Sequence, residues 1–93
     1  MRTIRRTAQF KRDYKREKRG RHSAALDDDL FTIVQLLVTD VKLPELMHDH
    51  SLTGNLKDCR DCHIKPDLVL IYRKTSDNTL ELIRLGSHSE ISF

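Results

Sequence analysis

The sequence lacks the features of a membrane protein, a secreted protein or a disulfide-stapled protein. No apolar run approaches the roughly 20 residues that a membrane-spanning helix needs. The N-terminus is basic, but the apolar core of a secretory signal does not follow it. Two cysteines among 93 residues are too few for a disulfide framework. We therefore expect a single cytoplasmic domain, residues 1–93, with no membrane association and no cofactor.

Aromatic residues are also scarce, with three phenylalanines, two tyrosines and no tryptophan. The composition is 38% hydrophobic and 33% charged, which is typical of a soluble globular protein. A chain of this length buries only about 60–65% of its unfolded surface. The hydrophobic core is therefore expected to be modest.

The positive charge is unevenly distributed along the chain. Residues 1–22 contain ten Lys and Arg against two acidic residues, although the net charge of the whole chain is only +3. Such a basic block favours a polyanion or an acidic protein partner. The alternative is a solvated helix face that keeps a small protein soluble.

The N-terminal half predicts a short edge strand followed by two helices. The strand covers residues 2–6 with Ile4 buried, and Thr7 caps a helix over residues 8–19. Ser23 caps a second helix that ends near Thr39 or Val41, because apolar residues recur there at the helical period. We expect these helices to form a hairpin against one face of a sheet.

The C-terminal half predicts a loop over residues 43–54 and then three strands. The strands cover residues 56–64, 68–74 and 79–85, and the second is apolar on both faces, so it should be central. On the first strand, Asp61 and His63 share a face. The fold class is therefore α+β, with two N-terminal helices packed on a small, mainly antiparallel twisted sheet.

The polar residues around these strands suit acid–base chemistry on RNA. Cleavage without a metal requires that a 2′-OH lose a proton, that the 5′-oxygen gain one, and that the charge on phosphorus be stabilised. Histidine suits both proton transfers because its unperturbed pKa is about 6.5, and Arg or Lys suits the third task. The candidates for proton transfer and its support are His50, His63, His88, Asp61 and Asp67. The candidates for charge stabilisation are Arg60, Arg84 and Lys57.

Each of these histidines alone could equally be a structural residue. A second alternative is a zinc site that uses Cys59, Cys62 and His63 with His48 or His50. A strand would place the two cysteines on opposite faces, which argues against that site. A thioredoxin-like redox pair lacks the βαβ context that it needs. Both cysteines are therefore expected to be partly buried, reduced side chains.

Several of these residues also form a pattern that resembles the YafQ family of bacterial toxins, within the RelE/ParE superfamily of type II toxin–antitoxin systems. The pattern covers nearly the whole chain. Its pieces are Asp49-His50-x-Leu52-x-Gly54, Arg60-Asp61-x-His63, Pro66-Asp67-x-x-Leu70-Ile71-Tyr72 and Arg84-x-Gly86-x-His88.

The resemblance implies an mRNA interferase with a RelE-like fold. Such toxins cut mRNA in the ribosomal A site, with a preference for lysine codons, and a DinJ- or RelB-like antitoxin holds them inactive. They contact operator DNA only through that antitoxin. By analogy, His88 is the general acid, while His50, His63 and Asp67 bind the phosphate and deprotonate the 2′-OH. Asp61 orients His63, and the choice of general base stays open.

The chain departs from the family pattern at two positions. Leu68 stands where the family often has a tryptophan, so one candidate base-stacking surface is missing. Phe93 lies five positions after His88, where the family usually has a phenylalanine four positions after its last histidine. We expect Phe93 to contact RNA from the tail.

Two other functions remain open for comparison. A ParE-like toxin on the same fold would poison DNA gyrase without cutting RNA, and it would not need three placed histidines. A zinc-stabilised module that binds nucleic acid would depend on Cys59 and Cys62. The histidine and aspartate set favours the ribosome-dependent nuclease.

Overall fold

The structure is a computed structural model that describes residues 1–91. Within that range no helix is long and apolar enough to span a membrane. The strands and helices are, in chain order, β1 (Thr3–Arg6), α1 (Ala8–Glu17), α2 (Leu26–Val38), β2 (His50–Ser51), β3 (Arg60–Lys65), β4 (Leu68–Lys74), β5 (Thr79–Gly86) and α3 (His88–Ile91). Short 3-10 turns lie at Glu45–Met47 and Gly54–Leu56.

The five strands form one sheet in the order β1-β5-β4-β3-β2. β1 runs parallel to β5, and the other neighbours are antiparallel. The predicted α+β class and mainly antiparallel sheet are therefore confirmed, with β4 at the centre. The predicted loop over residues 43–54 is partly wrong, because His50 and Ser51 add an edge strand to β3. β3 also begins later than predicted, since residues 54–56 form a 3-10 turn.

The first helix begins as the sequence indicates. The Thr7 side chain accepts a hydrogen bond from the Phe10 backbone N–H at 2.9 Å, which is the predicted N-cap. The predicted cap of the second helix is wrong: α2 starts at Leu26, and its N-cap residue is Ala25 instead of Ser23. Three aspartates in the first turn of α2 stabilise that end through the helix dipole.

The end of α2 also differs from the prediction. The helix stops at Val38, and Asp40 adopts a positive φ of 58°. Val41 is consequently exposed, and Val38 takes the buried position instead. Ile4 was predicted to be buried but is 48% exposed, because it lies on the edge strand and outside the core clusters.

The sheet is covered differently on its two faces. Alternate residues of β4 (Leu68, Leu70 and Tyr72) pack with apolar residues of α1 and α2. On the opposite face, Val69 and Ile71 pack with Cys59 and with Ile91 of α3. We call the first the helix face and the second the open face. The prediction that β4 is central and apolar on both sides is confirmed.

Truncation of the core on the helix face should destabilise the fold strongly. Leu37→Ala removes a side chain that is 2% exposed and leaves a cavity, so we expect the free energy of unfolding to fall by about 2–4 kcal/mol. Phe31→Ala, on the same helix but 65% exposed, is the matched control and should change it by less than about 0.5 kcal/mol. Urea denaturation measures both. Equal losses would contradict the assigned burial.

Candidate active site

Three separate segments bring acid–base side chains to the open face. Asp61 and His63 alternate with Cys62 on β3 and lie opposite Ile71 and Val69 of β4, respectively. His50 on the edge strand β2 is the partner of Asp61. His88 begins α3, two residues after the last residue of β5. The sheet register therefore converts sequence-distant residues into one cluster.

The distances within this cluster are short. His50 Nε2 lies 2.9 Å from Asp61 Oδ1. The ring centroids of His63 and His88 are 5.3 Å apart. One nitrogen of each of these rings and one oxygen of Asp61 all lie within 4.8 Å of one another. We call His50, Asp61, His63 and His88 the histidine cluster. The structure thus brings together four of the residues singled out from the sequence.

His48 is a further member of the site that the sequence reasoning did not assign to acid–base chemistry. Its ring lies edge-on to His63, with centroids 5.5 Å apart. It adopts a positive φ of 48° at the end of a 3-10 turn. Its position two residues before His50 was the available signal, but the turn that directs it could not be read from the spacing.

Asp61 is the electrostatic centre of the cluster. It is fully buried, and apart from the contact with His50 its oxygens receive no hydrogen bond from the described residues. Burial raises its pKa, although the nearby histidines His50, His63 and His88 oppose that rise when they are charged. A carboxylate in this state binds a proton or a protonated imidazole strongly.

The contacts of His50 show how a proton is held there. Its Nδ1 lies 2.8 Å from the backbone oxygen of His48, which can only accept, so Nδ1 carries a hydrogen. A neutral His50 would then direct the lone pair of Nε2 at Asp61. The 2.9 Å contact is attractive only when the pair holds one more proton. His50 and Asp61 therefore form a proton-holding pair.

Hydrogen bonds from Tyr72 and Arg60 hold the segment that carries His48 and His50 in place. The Tyr72 hydroxyl donates to Asp49 Oδ1 at 2.5 Å, and Arg60 Nε donates to the same oxygen at 3.1 Å. Arg60 Nη1 also donates to Ser51 Oγ at 2.9 Å. Arg60 thus holds the edge strand, and its predicted contact with RNA stays a prediction.

Asp67 lies outside the histidine cluster. It follows β3 in the turn to β4, where it forms an ion pair with Arg21 and lies 2.8 Å from His22 Nε2. These residues line an open cavity of about 390 Å³, together with Ser87 and Ser89, which flank His88. Asp67 therefore borders a polar cavity beside the cluster, and the sequence did not reveal its partners.

Three other predicted site residues have different surroundings. Arg84 donates from Nε to Asp13 Oδ2 at 2.7 Å, so its guanidinium neutralises a buried carboxylate of α1. Lys57 is exposed and follows the 3-10 turn at Gly54–Leu56. Phe93 lies outside the described residues. Their predicted roles in RNA binding stay predictions.

The cysteines do not belong to the site. Cys59 and Cys62 are free and buried, and they belong to the open-face cluster and the helix-face cluster, respectively. Burial raises the pKa of Cys59, and it raises the pKa of Cys62 to about 12. The zinc alternative based on this pair is therefore not supported, since the thiols lie on opposite faces.

The donors that could hold a metal are instead within the cluster. Asp61, His63 and His88 offer one oxygen and two nitrogens at mutual distances compatible with a shared ion. The carboxylate of Asp61 accepts few hydrogen bonds, so it is suited to act as a ligand of such an ion. This set differs from the zinc site considered from the sequence.

Comparison with known proteins identifies the family. A sequence model described as bacterial toxin of type II toxin–antitoxin system, YafQ, matches residues 2–92. The chain belongs to the YafQ toxin family. The mRNA interferase toxin YafQ of Escherichia coli strain B is 34% identical over 91 residues, which cover 97% of this chain and 95% of that protein. The resemblance drawn from the motifs is thereby confirmed.

Solved structures agree with this assignment. A toxin chain in the E. coli DinJ–YafQ complex superposes with a TM-score of 0.82 at 32% identity, covering all of both chains. A metal-bound toxin from Helicobacter pylori superposes with a TM-score of 0.85 at 40% identity, covering 98% of this chain and 99% of that one. The RelE-like arrangement of this YafQ family member is thus shared with these structures.

Burial of Asp61 should make stability depend on pH. Its raised folded-state pKa means that its contribution to stability is fully present below the unfolded-state pKa of about 4. That contribution is lost as the pH rises through the folded-state pKa. Asp61→Asn, which cannot ionise, should therefore raise the melting temperature relative to wild type more at pH 8 than at pH 4.

Thermal denaturation at the two pH values measures this difference. Asp58→Asn, at an exposed position three residues earlier, is the matched control and should give the same small change at both. A larger gain for Asp61→Asn at pH 4 than at pH 8 would contradict the account.

Proposed function

We propose that this protein is an mRNA interferase that cleaves mRNA in the ribosomal A site by metal-independent acid–base catalysis. The observation that carries the proposal is the histidine cluster on the open face, with a buried carboxylate at its centre. The relative named as an mRNA interferase supports the same activity. The lysine-codon preference is part of the proposal through the family resemblance alone.

The proposed reaction needs two proton transfers. A neutral imidazole, which we assign to His63, takes the proton of the 2′-OH as the oxygen attacks phosphorus, because both ring nitrogens of His50 are engaged by Asp61 and the His48 backbone oxygen. The 5′-oxygen leaves and gains a proton from His88, which is exposed at the edge of the cluster. The products are a 2′,3′-cyclic phosphate and a 5′-OH. Asp61 orients His50 and His63 and stabilises the imidazolium that forms.

The residues around the cluster would bind the RNA. Arg60 and Lys57 lie on the segment that borders β2 and β3 and supply positive charge towards the phosphorane. Asp67 would act from the neighbouring cavity, where it holds Arg21 and His22 in place beside the segment of His88. Leu68 is buried on the helix face, so that position cannot supply a base-stacking surface in this chain.

A metal ion would compete with this chemistry. When bound by Asp61, His63 and His88, it would occupy the lone pairs that must accept or carry the transferred protons. The similar toxin from H. pylori is described as metal-bound, which supports the proposal that this donor set can hold an ion. In the proposed mechanism an ion at this position inhibits cleavage.

The partner of the toxin would be a DinJ-like antitoxin, as in the complex of the E. coli relative. A groove of about 660 Å³ runs between β1 and the two helices. Its lining is mainly apolar and includes Phe10, Leu30 and Phe31, and the cations Arg6, Lys11 and Lys15 also line it. We propose that an amphipathic acidic segment of the antitoxin occupies it, and that operator DNA is contacted only through the antitoxin.

The basic block of residues 1–22 would serve the ribosome as well. The A site is lined by RNA phosphates, so clustered Lys and Arg favour association by releasing counterions. That attraction should weaken as salt rises. The same block therefore offers one surface to two acidic partners.

Substitution of His88 tests the proposed activity. In a reconstituted translation reaction, primer extension should show in-frame breaks at A-site codons with wild type. His88→Ala should reduce them by at least about 100-fold, because the leaving oxygen loses its acid. Its melting temperature should change little, since the side chain is exposed.

The same assay separates the alternative. Intact mRNA with folded wild-type protein would overturn the nuclease proposal, and a gyrase supercoiling assay would then test the ParE-like function. Unchanged cleavage by His88→Ala would overturn the assignment of the general acid.

A charge in the groove tests the antitoxin surface. Phe31→Asp puts a carboxylate on the apolar lining of the groove, where the bound antitoxin would bury it. We therefore expect the Kd for a DinJ-like antitoxin to rise by at least about 30-fold. Leu46→Asp, at a side chain that is 87% exposed and outside the groove, is the control and should leave the Kd unchanged. Isothermal titration calorimetry gives both values. An equal Kd for the two variants would contradict the proposed surface.

A further inference from the structure

A buried carboxylate on α1 organises the end of β5 that leads to His88. Asp13 is fully buried, and its carboxylate accepts the backbone N–H of Leu85 at 3.0 Å, Arg84 Nε at 2.7 Å and Arg16 Nη1 at 3.0 Å. Burial alone would raise its pKa, but the hydrogen bonds from Arg84, Leu85 and Gln9 outweigh it and lower that pKa. Asp13 is therefore an ionised anchor that fixes α1 against β5.

Arg16 extends this anchor to α3. Its Nη2 donates to the backbone oxygen of Leu85 at 2.8 Å, and its Nε lies 3.2 Å from Glu90 Oε2. The same guanidinium thus contacts α1 through Asp13, the end of β5 through Leu85, and α3 through Glu90. A planar group with several fixed donors is required for this arrangement.

The passage of Arg16 depends on a glycine. A Cβ atom at Gly86 would lie 2.6 Å from Arg16 Nη2 and 3.3 Å from Glu90 Oε1. A side chain there would force Arg16 Nη2 to move and would disturb its hydrogen bond to the Leu85 backbone oxygen. Gly86 therefore has a packing role at the close approach of α1 and α3, beyond its place at the end of β5.

Glu90 is also hydrogen-bonded to Ser87, the residue before His88. Glu90 Oε1 accepts the backbone N–H of Ser87 at 3.0 Å, while Ser87 Oγ accepts the backbone N–H of Glu90 at 3.2 Å. This reciprocal pair is a capping box. His88 is the first residue of the helix that the box starts, and Ile91 buries the other end on the open face.

We propose that Arg16 is a positioning residue for His88, acting through its ion pair with Glu90. Loss of that pair removes the link between α1 and α3 that runs through Glu90, so the imidazole shifts relative to His63. Small displacements of a catalytic group lower the rate of the chemical step steeply. The inference rests on the proposed nuclease function. It predicts that Arg16 on α1 affects the rate of cleavage without contacting the RNA.

The test separates positioning from the general attraction of a basic helix for RNA. Arg16→Gln and Glu90→Gln should each lower kcat of cleavage by roughly 10- to 100-fold with KM within twofold. Lys15→Gln, the adjacent residue with the same loss of charge, should raise KM in a salt-dependent way and leave kcat intact. Arg16→Lys should fail like Arg16→Gln, since the single nitrogen of an ammonium cannot reach the three separate partners that Nε, Nη1 and Nη2 contact.

Double variants show whether the residues act through one another. Arg16→Gln combined with Glu90→Gln should be no worse than either alone, and Arg16→Gln should have no further effect on the residual cleavage by His88→Ala. Additive losses in both combinations would overturn the proposal. So would an Arg16→Gln variant that raises only KM, as Lys15→Gln does.

A readout independent of activity keeps the two proposals separate. In ¹H–¹⁵N NMR spectra, Arg16→Gln and Glu90→Gln should shift the backbone amide signals of Ser87 and His88, whereas Lys15→Gln should leave them in place. If wild type cleaves no mRNA but these shifts occur, the proposed nuclease function is wrong, whereas the positioning of α3 by Arg16 is supported. If the signals do not move in folded variants, the positioning of α3 by Arg16 is wrong.

Discussion

The structure depends on the double-sided burial of β4. Its residues from Leu68 to Tyr72 are all buried, so both faces of the sheet must be covered. A chain of 93 residues has only two helices of ten or more residues within the described range, and both lie on the helix face. The open face is closed at its margins by the loops around β2 and by the short α3. That unequal cover leaves room for a site on a rigid sheet, which is the usual way to hold reacting groups precisely.

The site is built at some cost in stability. Asp61 is buried beside the imidazoles of His50, His63 and His88, and its oxygens are poorly satisfied. A core made only for stability would have an apolar residue there, because an unpaired buried carboxylate is costly. Another buried carboxylate, Asp13, receives donors from four residues (Gln9, Arg16, Arg84 and Leu85) and is stabilised in its charged form. Asp61 therefore lacks the donors that hold Asp13 in its charged form, as expected of a residue in the proposed active site.

Much of the fold could be predicted from periodicity and turn chemistry. The Thr7 cap and the apolar β4 are local signals, and both were predicted. The edge strand at His50 was not, since two residues of strand are held by pairing with β3 and by Arg60 and Asp49, not by their own propensity. The prediction that Ile4 is buried was wrong for a related reason, because tertiary packing decides which strand lies at the edge of the sheet. Within the site, the alternation of Asp61 and His63 was readable, whereas the partners of Asp67 and Arg84 lie on α1 or just after it and required the folded structure.

The groove and the histidine cluster lie on different sides of the sheet. The groove is formed by β1, α1 and α2, and the cluster is formed by β2, β3 and α3. An antitoxin and an mRNA would therefore contact largely separate surfaces, and the basic block of α1 would be shared between them. Inhibition would then come from blocking ribosome entry or from a second antitoxin segment that reaches the open face.

The most direct test of this account is photo-crosslinking on the ribosome. A photoreactive amino acid would be placed at exposed Asn55, whose neighbour Leu56 packs on the open-face cluster, or at exposed Phe31 on the helix side. Both would carry His88→Ala so that the mRNA stays intact. The account predicts crosslinks to A-site mRNA from position 55 and none from position 31. Crosslinks from position 31 alone would contradict it, because the RNA would then lie on the helix side, away from the histidine cluster.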